Sequence, residues 1–212
     1  MIVKVCGVRT AAVADAAVAA GADWIGLVFV PESPRHVDDA AARAVVDAVA
    51  GSAELIGVFV APQPAECEAA ASRYGLSAVQ VHGDVERSFV TACDVPVIRG
   101  LNVSAANDAF TGQWWPDLLV LLDAPALEGE LPGGTGRQVE RRLAAEVARH
   151  RRILLAGGLG PDDVDEAIAA VRPFGVDASS GLERSPGEKD VERVRAYVQA
   201  ARAAFARVSN GG

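Results

Sequence analysis

Short apolar runs alternate with longer, more polar stretches along the whole 212-residue chain. Each run is rich in Val, Ile and Leu and is bounded by Gly, Pro or Asp, a pattern typical of parallel strands that are buried on both faces. The runs predict strands at residues 2–6, 24–29, 54–60, 78–82, 95–99, 118–123, 153–156 and 175–178.

The stretches between these runs favour helices, and several carry recognisable end signals. Asp38 is a candidate N-cap, Gly21 a stop signal, and Pro161 a good first-turn residue for a helix that begins there. The segment 101–115 is too broken to predict a long helix. The other predicted helices cover about 11–20, 38–50, 64–74, 85–93, 137–150 and 191–205.

Strand and helix therefore alternate about eight times, which is the organisation of a (β/α)8 barrel. We predict an α/β protein in which residues 1–212 form a single TIM-barrel domain. An open, doubly wound sheet is the alternative. It is less favoured because no Gly-x-Gly-x-x-Gly motif follows the first strand.

Composition and charge restrict the partners. The net charge of −8 argues against nucleic acid or an anionic membrane, so an anionic substrate would need local positive residues. Cys6, Cys67 and Cys93 show no Cys-x-x-Cys spacing, which disfavours a disulfide framework and a zinc site. With no secretory pattern and no apolar run of membrane-spanning length, we expect a protein of the reducing cytoplasm.

In a TIM barrel, catalytic side chains lie at the carboxyl ends of the strands. Cys6, at the end of the first strand, is either a general base that acts as its thiolate or an inert buried thiol. Cys67 and Cys93 lie in predicted helices, so we interpret both as inert buried thiols. Asp123 ends an apolar run, so it is either a general acid with a raised pKa or a turn residue. The other candidates at strand ends are Arg35, His82 and Asp177.

Arg35 and His82 each have two readings as well. The planar guanidinium of Arg35, after Ser33-Pro34, can bind a carboxylate through two bonds, or it is a solvated loop residue. His82 is a proton carrier or a histidine that is simply hydrogen-bonded at the rim. The glycine-rich loop 133–136 could close on an anion, although glycine alone is weak evidence.

Two small-residue turns follow the seventh and eighth predicted strands. Gly157 and Gly158 come after one, and Ser179, Ser180 and Gly181 after the other. Exposed backbone N–H groups and two hydroxyls suit a phosphate, and TIM barrels commonly bind phosphate at these loops. The alternative is a pair of ordinary tight turns. The matched pair favours a phosphate-binding cup.

Lys4 shares its strand face with Cys6, which places it inside the barrel. A buried ammonium needs a counter-charge. Asp177 and Asp123 are the candidates, and Asp177 is favoured because the eighth strand neighbours the first. Such a pair would also place positive charge beneath the Cys6 sulfur and favour its thiolate.

From Val3 to about Asp190, the chain resembles phosphoribosylanthranilate isomerase, the (β/α)8 enzyme family of tryptophan biosynthesis. Its matching motifs, in order, are Lys4-Val5-Cys6-Gly7, Gly21-Ala22-Asp23, Ser33-Pro34-Arg35, Val79-Gln80-Val81-His82-Gly83, Leu121-Leu122-Asp123, Gly133-Gly134-Thr135-Gly136, Ala156-Gly157-Gly158-Leu159 and Gly175-Val176-Asp177 with Ser179-Ser180-Gly181-Leu182-Glu183.

The resemblance implies an Amadori rearrangement of N-(5-phosphoribosyl)anthranilate without metal or organic cofactor. It makes Cys6 the general base, Asp123 the general acid and Arg35 the ligand of the anthranilate carboxylate. The small phosphorylated substrate would also contact His82, Asp177, Gly134, Gly157, Gly158, Ser179, Ser180 and Gly181.

The chain departs from the family after the glycine-rich loop, where Val139, Glu140 and Arg141 replace an aromatic residue, an aspartate and a tryptophan. A histidine-pathway or bifunctional phosphoribosyl isomerase is an alternative, but that family has an aspartate where this chain has Cys6. A non-catalytic phosphate-binding barrel is the third reading. The oligomeric state stays open, with a monomer favoured.

Overall fold

The predicted strands form one closed parallel barrel. The computed structural model describes residues 1–102, 118–124 and 139–210. Its strands pair in chain order, and the eighth pairs back with the first. This confirms the (β/α)8 fold. The strands are β1 Ile2–Cys6, β2 Trp24–Val28, β3 Glu54–Val60, β4 Ala78–His82, β5 Val97–Asn102, β6 Leu119–Asp123, β7 Ile153–Leu155 and β8 Gly175–Ala178.

The helices of the described residues pack around the barrel, and two of the three predicted end signals function as caps. The Asp38 carboxylate accepts a hydrogen bond from the N–H of Ala41 at 2.8 Å, and Gly21 ends the first helix with φ +97°. The helices are α1 Ala11–Ala20, α2 Asp39–Val49, α3 Pro64–Tyr74, α4 Arg87–Ala92, α5 Arg141–His150, α6 Val164–Val171 and α7 Val191–Asn210.

Several element boundaries differ from the prediction, among them the end of the last helix, which is Asn210 rather than 205, and two of the differences have a local cause. Strand β5 begins after Pro96, which has no N–H to donate to a neighbouring strand, and continues to Asn102. Helix α6 begins at Val164 rather than Pro161, because Asp163 has a non-helical φ of −133° and its carboxylate accepts the Gly160 N–H at 2.8 Å. Most of the broken segment 101–115, and the predicted helical residues 137–138, lie outside the described residues.

A small element between β8 and α7 was not predicted. A 3-10 helix, Ser180–Leu182, leads into an antiparallel hairpin of β9 Glu183–Ser185 and β10 Glu188–Lys189. Pro186 and Gly187 form its turn, and Gly187 has φ +81°, a conformation that glycine adopts readily. We call residues 183–189 the rim hairpin.

Side chains inside the barrel change character along its axis. An apolar cluster includes Ile56, Ile98, Leu121 and Leu154. Towards the carboxyl ends of the strands the buried residues become polar, and these are Lys4, Gln80, His82, Asp123 and Asp177. Since this end of a TIM barrel carries the active site, the buried polar groups mark where chemistry is to be sought. No helix of the described residues is long and apolar enough to cross a bilayer.

Candidate active site

A buried ion pair joins β1 to β8 where the barrel closes. The register places Lys4 directly beside Asp177, and Lys4 Nζ lies 3.0 Å from Asp177 Oδ1. The lysine side chain is 0% exposed and the aspartate side chain 7%. This confirms the predicted partner. Burial alone would lower the pKa of Lys4, but Asp177 and Cys6 outweigh it, and the pKa is raised.

Cys6 lies two residues further along β1, at the edge of a small apolar cluster with Val28 and Val58. Gly26 makes room for it, because a Cβ there would lie 2.8 Å from the Cys6 sulfur. Burial raises the pKa of Cys6, whereas Lys4 lowers it, as predicted. The net direction is nevertheless upward. Desolvation therefore outweighs the lysine, and the resting form of this side chain is the thiol.

Arg35, Glu183 and Lys189 form a second, largely buried charge group, which we call the mouth cluster. Arg35 Nε and Nη2 donate to the two carboxylate oxygens of Glu183 at 2.7 and 2.9 Å. Lys189 Nζ donates to Glu183 Oε1 at 2.5 Å and to Ser179 Oγ at 3.3 Å. Burial raises the pKa of Glu183, but the bonds from Arg35 and Lys189 outweigh it and lower the pKa. The glutamate is therefore an anion between two cations.

The mouth cluster lies next to Cys6. A Cβ on Gly7 would come within 2.9 Å of the Arg35 side chain and 3.2 Å of Ser179 Oγ, so both side chains cross the end of β1. The Ser179 hydroxyl also donates to the Cys6 carbonyl at 3.2 Å. Lys189 acts on Cys6 electrostatically in the same direction as Lys4, lowering its pKa.

His82 lies inside the barrel against β5, where a Cβ on Gly100 would come within 2.4 Å of its ring. Its Nε2 is 2.7 Å from Gln80 Nε2, while Nδ1 has no partner within the described parts of the chain. Burial, with Lys4 and then Arg99, lowers the pKa of His82 to about 3. The ring is therefore neutral, and with Nε2 accepting from the amide, Nδ1–H is an available donor.

Asp123 ends β6 at the same mouth, and its residue is 4% exposed. One carboxylate oxygen accepts the N–H of Ala124 at 2.8 Å. The structure thus places a carboxyl group at the same end of the barrel as Cys6, three strands away around the ring. Its raised pKa and its role as an acid stay predictions.

The two loops of the predicted phosphate cup pack against each other. Gly157 and Gly158 have φ of +89° and +63°, and a Cβ on Gly181 would lie 2.1 Å from the Leu159 carbonyl oxygen. Only glycine allows this approach of backbone to backbone. The Ser179 hydroxyl is turned towards Cys6 and Lys189 and so away from its predicted role in the cup.

Part of the predicted site falls elsewhere. Gly134 and the loop 133–136 lie outside the described residues. Of the residues that depart from the resembled family, Val139 is buried in the core, and Arg141 Nη1 lies 2.8 Å from Glu166 Oε2 on α6. Val139 thus has a structural role, whereas Arg141 forms an ion pair at the surface.

Glu183 and Lys189 are the site residues that sequence reasoning missed. Glu183 is the last residue of a motif recognised in the sequence, but no function was assigned to it. Lys189 stands between Glu188 and Asp190, where it resembles a solvated surface residue. Pro186 and Gly187 were the available signal, since this dipeptide favours a turn and hence a hairpin.

A closed α/β barrel that gathers a thiol, carboxylates and cations at the carboxyl ends of its strands defines a TIM-barrel enzyme. The family described as N-(5'-phosphoribosyl)anthranilate (PRA) isomerase matches residues 3–200. The chain belongs to this family.

Individual relatives agree along nearly the whole chain. The N-(5'-phosphoribosyl)anthranilate isomerase of Azorhizobium caulinodans is 40% identical over 96% of this chain and 92% of its own length. The crystal structure of the Thermotoga maritima phosphoribosyl anthranilate isomerase matches with a TM-score of 0.87 and 32% identity, over 96% of this chain and all of that one.

A further crystal structure is of a phosphoribosyl anthranilate isomerase in complex with reduced 1-(o-carboxyphenylamino)-1-deoxyribulose 5-phosphate. It matches with a TM-score of 0.84 and 31% identity, over 96% of this chain and 100% of that one.

We predict that Lys4→Met lowers the free energy of unfolding by about 3–5 kcal/mol, because it leaves Asp177 buried without its counter-charge. Urea unfolding measures this.

Two controls separate the buried pair from an exposed one. The double variant Lys4→Met/Asp177→Asn should lose less free energy of unfolding than Lys4→Met. Arg43→Met, which breaks an exposed pair with Asp39, should lose less than about 1 kcal/mol. Since the pKa of Lys4 is raised, the effect of Lys4→Met should stay constant from neutral pH up to about 10.5 and fade only above it. An effect no larger than that of Arg43→Met would contradict the prediction.

We also predict that His82 makes the fold sensitive to acid. Its pKa is about 3 in the fold against 6.5 for a free histidine, so the unfolded chain binds a proton that the folded one does not. As the pH falls below 6.5, stability should drop by up to about 1.4 kcal/mol per pH unit from this residue alone. Urea unfolding at several pH values should show a shallower slope for His82→Gln. The control His150→Gln, at an exposed position, should keep the wild-type slope, and parallel slopes in all three proteins would contradict the prediction.

Proposed function

We propose that this chain catalyses the Amadori rearrangement of N-(5-phosphoribosyl)anthranilate to 1-(2-carboxyphenylamino)-1-deoxyribulose 5-phosphate, a step of tryptophan biosynthesis. The observation that carries the proposal is the placement of Cys6 and Asp123, both buried, at the ends of β1 and β6 around one barrel mouth. An aldose–ketose rearrangement needs one acid and one base on the same sugar.

The two groups divide the reaction between them. Asp123 protonates the ribose ring oxygen, which opens the ring to a protonated Schiff base. The Cys6 thiolate then removes the C2′ proton, and the resulting enolamine tautomerises to the ketone. One proton is given and one taken, so the reaction needs no oxidant and, in this scheme, no cofactor.

The cations around Cys6 support its work as a base. Burial raises the pKa of the thiol, so the thiolate is the minor form at rest. Lys4 and Lys189 both lower the pKa of Cys6 and so increase the fraction of thiolate. A base that is a thiolate only part of the time still functions, because a strong base is more reactive towards a carbon acid.

The remaining predicted residues bind the substrate in this proposal. The anthranilate carboxylate pairs with Arg35, and the phosphate binds in the cup of Gly157, Gly158, Ser180 and Gly181. Ser179 supports β1 through the Cys6 carbonyl. Nδ1–H of the neutral His82 donates to a sugar oxygen, and Asp177 acts through Lys4. Gly134 retains its proposed contact, outside the described residues.

Support for the substrate comes from the relatives, whose names and bound ligand specify this chemistry. We further propose that the protein works in the cytoplasm, where its three free cysteines stay reduced. The preference for a monomer stays a prediction, and a bifunctional isomerase that also accepts the histidine-pathway substrate stays the alternative. Offering both substrates to the purified protein separates a dedicated isomerase from a bifunctional one.

The central test is the assay of Cys6→Ala and Asp123→Asn. Loss of a general base or acid should lower kcat by at least about 10²-fold while the fold is retained. The reaction is followed by the loss of phosphoribosylanthranilate fluorescence. Cys67→Ala is the matched control, since this buried cysteine lies on α3, and it should keep kcat near wild type. Near wild-type kcat in either site variant removes that residue from the mechanism, and an inactive wild type refutes the function.

A second test concerns Arg35→Lys, which keeps the charge and loses the planar fork. Because a carboxylate is held through two parallel bonds to arginine, we expect kcat/KM to fall by about tenfold or more. Arg43→Lys, in an exposed pair on α2, should change kcat/KM by less than about twofold. An unchanged kcat/KM for Arg35→Lys would make Arg35 an ordinary loop residue.

A further inference from the structure

The rim hairpin is docked onto the loop that carries Arg35. A Cβ on Gly187 would lie 2.1 Å from the Pro34 carbonyl oxygen, so the hairpin turn and this loop touch backbone to backbone. Arg9 Nη1 donates to the carbonyls of both Pro34 and Gly187, at 3.2 and 3.4 Å. Hairpin and loop are thereby held as one unit at the mouth of the barrel.

Within this unit, Glu183 contacts one particular edge of Arg35. A guanidinium has two edges that can each bind a carboxylate through two bonds, one formed by Nε and Nη2 and the other by Nη1 and Nη2. Glu183 takes the Nε and Nη2 edge. The second edge is not used by Glu183, so a substrate carboxylate can bind Arg35 without displacing the glutamate.

The charges of the mouth cluster also leave room for an anion. Arg35 and Lys189 are two cations and Glu183 is one anion, so the cluster carries a net charge of +1. The neighbouring pair of Lys4 and Asp177 is neutral overall. A bound carboxylate would bring the net charge of the mouth cluster to zero. Since uncompensated charge is costly in a largely buried site, this favours binding of the carboxylate.

We propose that Glu183 is the positioning residue that orients Arg35 for the substrate carboxylate, and that Lys189 holds Glu183 in place. The proposal rests on the proposed function and adds to it the residue that determines specificity for an anthranilate group. Glu183 does not touch the substrate in this scheme. It fixes the plane of the guanidinium through two bonds, so Arg35 is ordered before the ligand arrives.

The experiment compares the binding of two ligands. The first is reduced 1-(2-carboxyphenylamino)-1-deoxyribulose 5-phosphate, and the second is the same molecule without the carboxylate, with aniline in place of anthranilate. Calorimetry gives Kd for wild type, Glu183→Gln and Glu188→Gln. The control residue Glu188 lies in the same hairpin but is exposed and paired with Arg184.

Glu183→Gln should weaken the first ligand by at least about tenfold, since one of the two bonds that hold a charged group is lost. Binding of the second ligand should change by less than about twofold, and Glu188→Gln should leave both unchanged. This pattern would separate positioning of Arg35 from general damage to the mouth, which would weaken both ligands alike.

The double variant Glu183→Gln/Lys189→Met guards against unfolding caused by two uncompensated cations. It restores the net charge of +1 but not the orientation of Arg35, so it should show the same selective loss. Tighter binding of the first ligand by Glu183→Gln would mean that Glu183 competes with the substrate. That result, unchanged binding, or an equal loss for both ligands overturns the proposal alone. Failure of wild type to bind either ligand overturns it together with the proposed function.

Discussion

The ion pair of Lys4 and Asp177 is the interaction on which the mouth of this barrel depends. A lysine with no exposed surface is tolerated only because the strand beside it supplies a carboxylate at 3.0 Å. The pair lies where β8 returns to β1, so it fixes the relative register of the first and last strands. Two residues beyond Lys4 the same strand ends in Cys6, which is therefore placed by the pair as well as influenced by its charge.

Desolvation at this mouth has opposite effects on two groups that the reaction would use. Desolvation raises the pKa of Cys6 and so keeps it a thiol at rest, which works against its use as a general base. It lowers the pKa of His82 and so keeps the ring neutral, which preserves a hydrogen-bond donor without adding a further cation. The neighbouring cations counteract the first effect and reinforce the second. In a chain of net charge −8, the mouth cluster thus carries a local charge of +1, which suits an anionic ligand.

Hydrophobic periodicity was sufficient to predict the barrel, because each strand is buried on both faces and each is followed by turn residues. It also predicted the partner of Lys4, since strand parity places the ammonium inside and barrel closure leaves few carboxylates nearby. The rim hairpin escaped prediction because its strands are only two or three residues long and highly charged. The pKa of Cys6 could not be obtained from sequence either, as it depends on a balance between burial and several charges that only the packed structure defines.

Both buried charge groups join distant parts of the chain. Lys4 and Asp177 are 173 residues apart, and Arg35 and Glu183 are 148 apart. During synthesis, the early residues leave the ribosome long before their partners exist, and until then Lys4 and Arg35 must remain in water. Closing the barrel and completing the binding site are consequently both late events, so a chain that stops short of β8 has neither a finished seam nor a competent site.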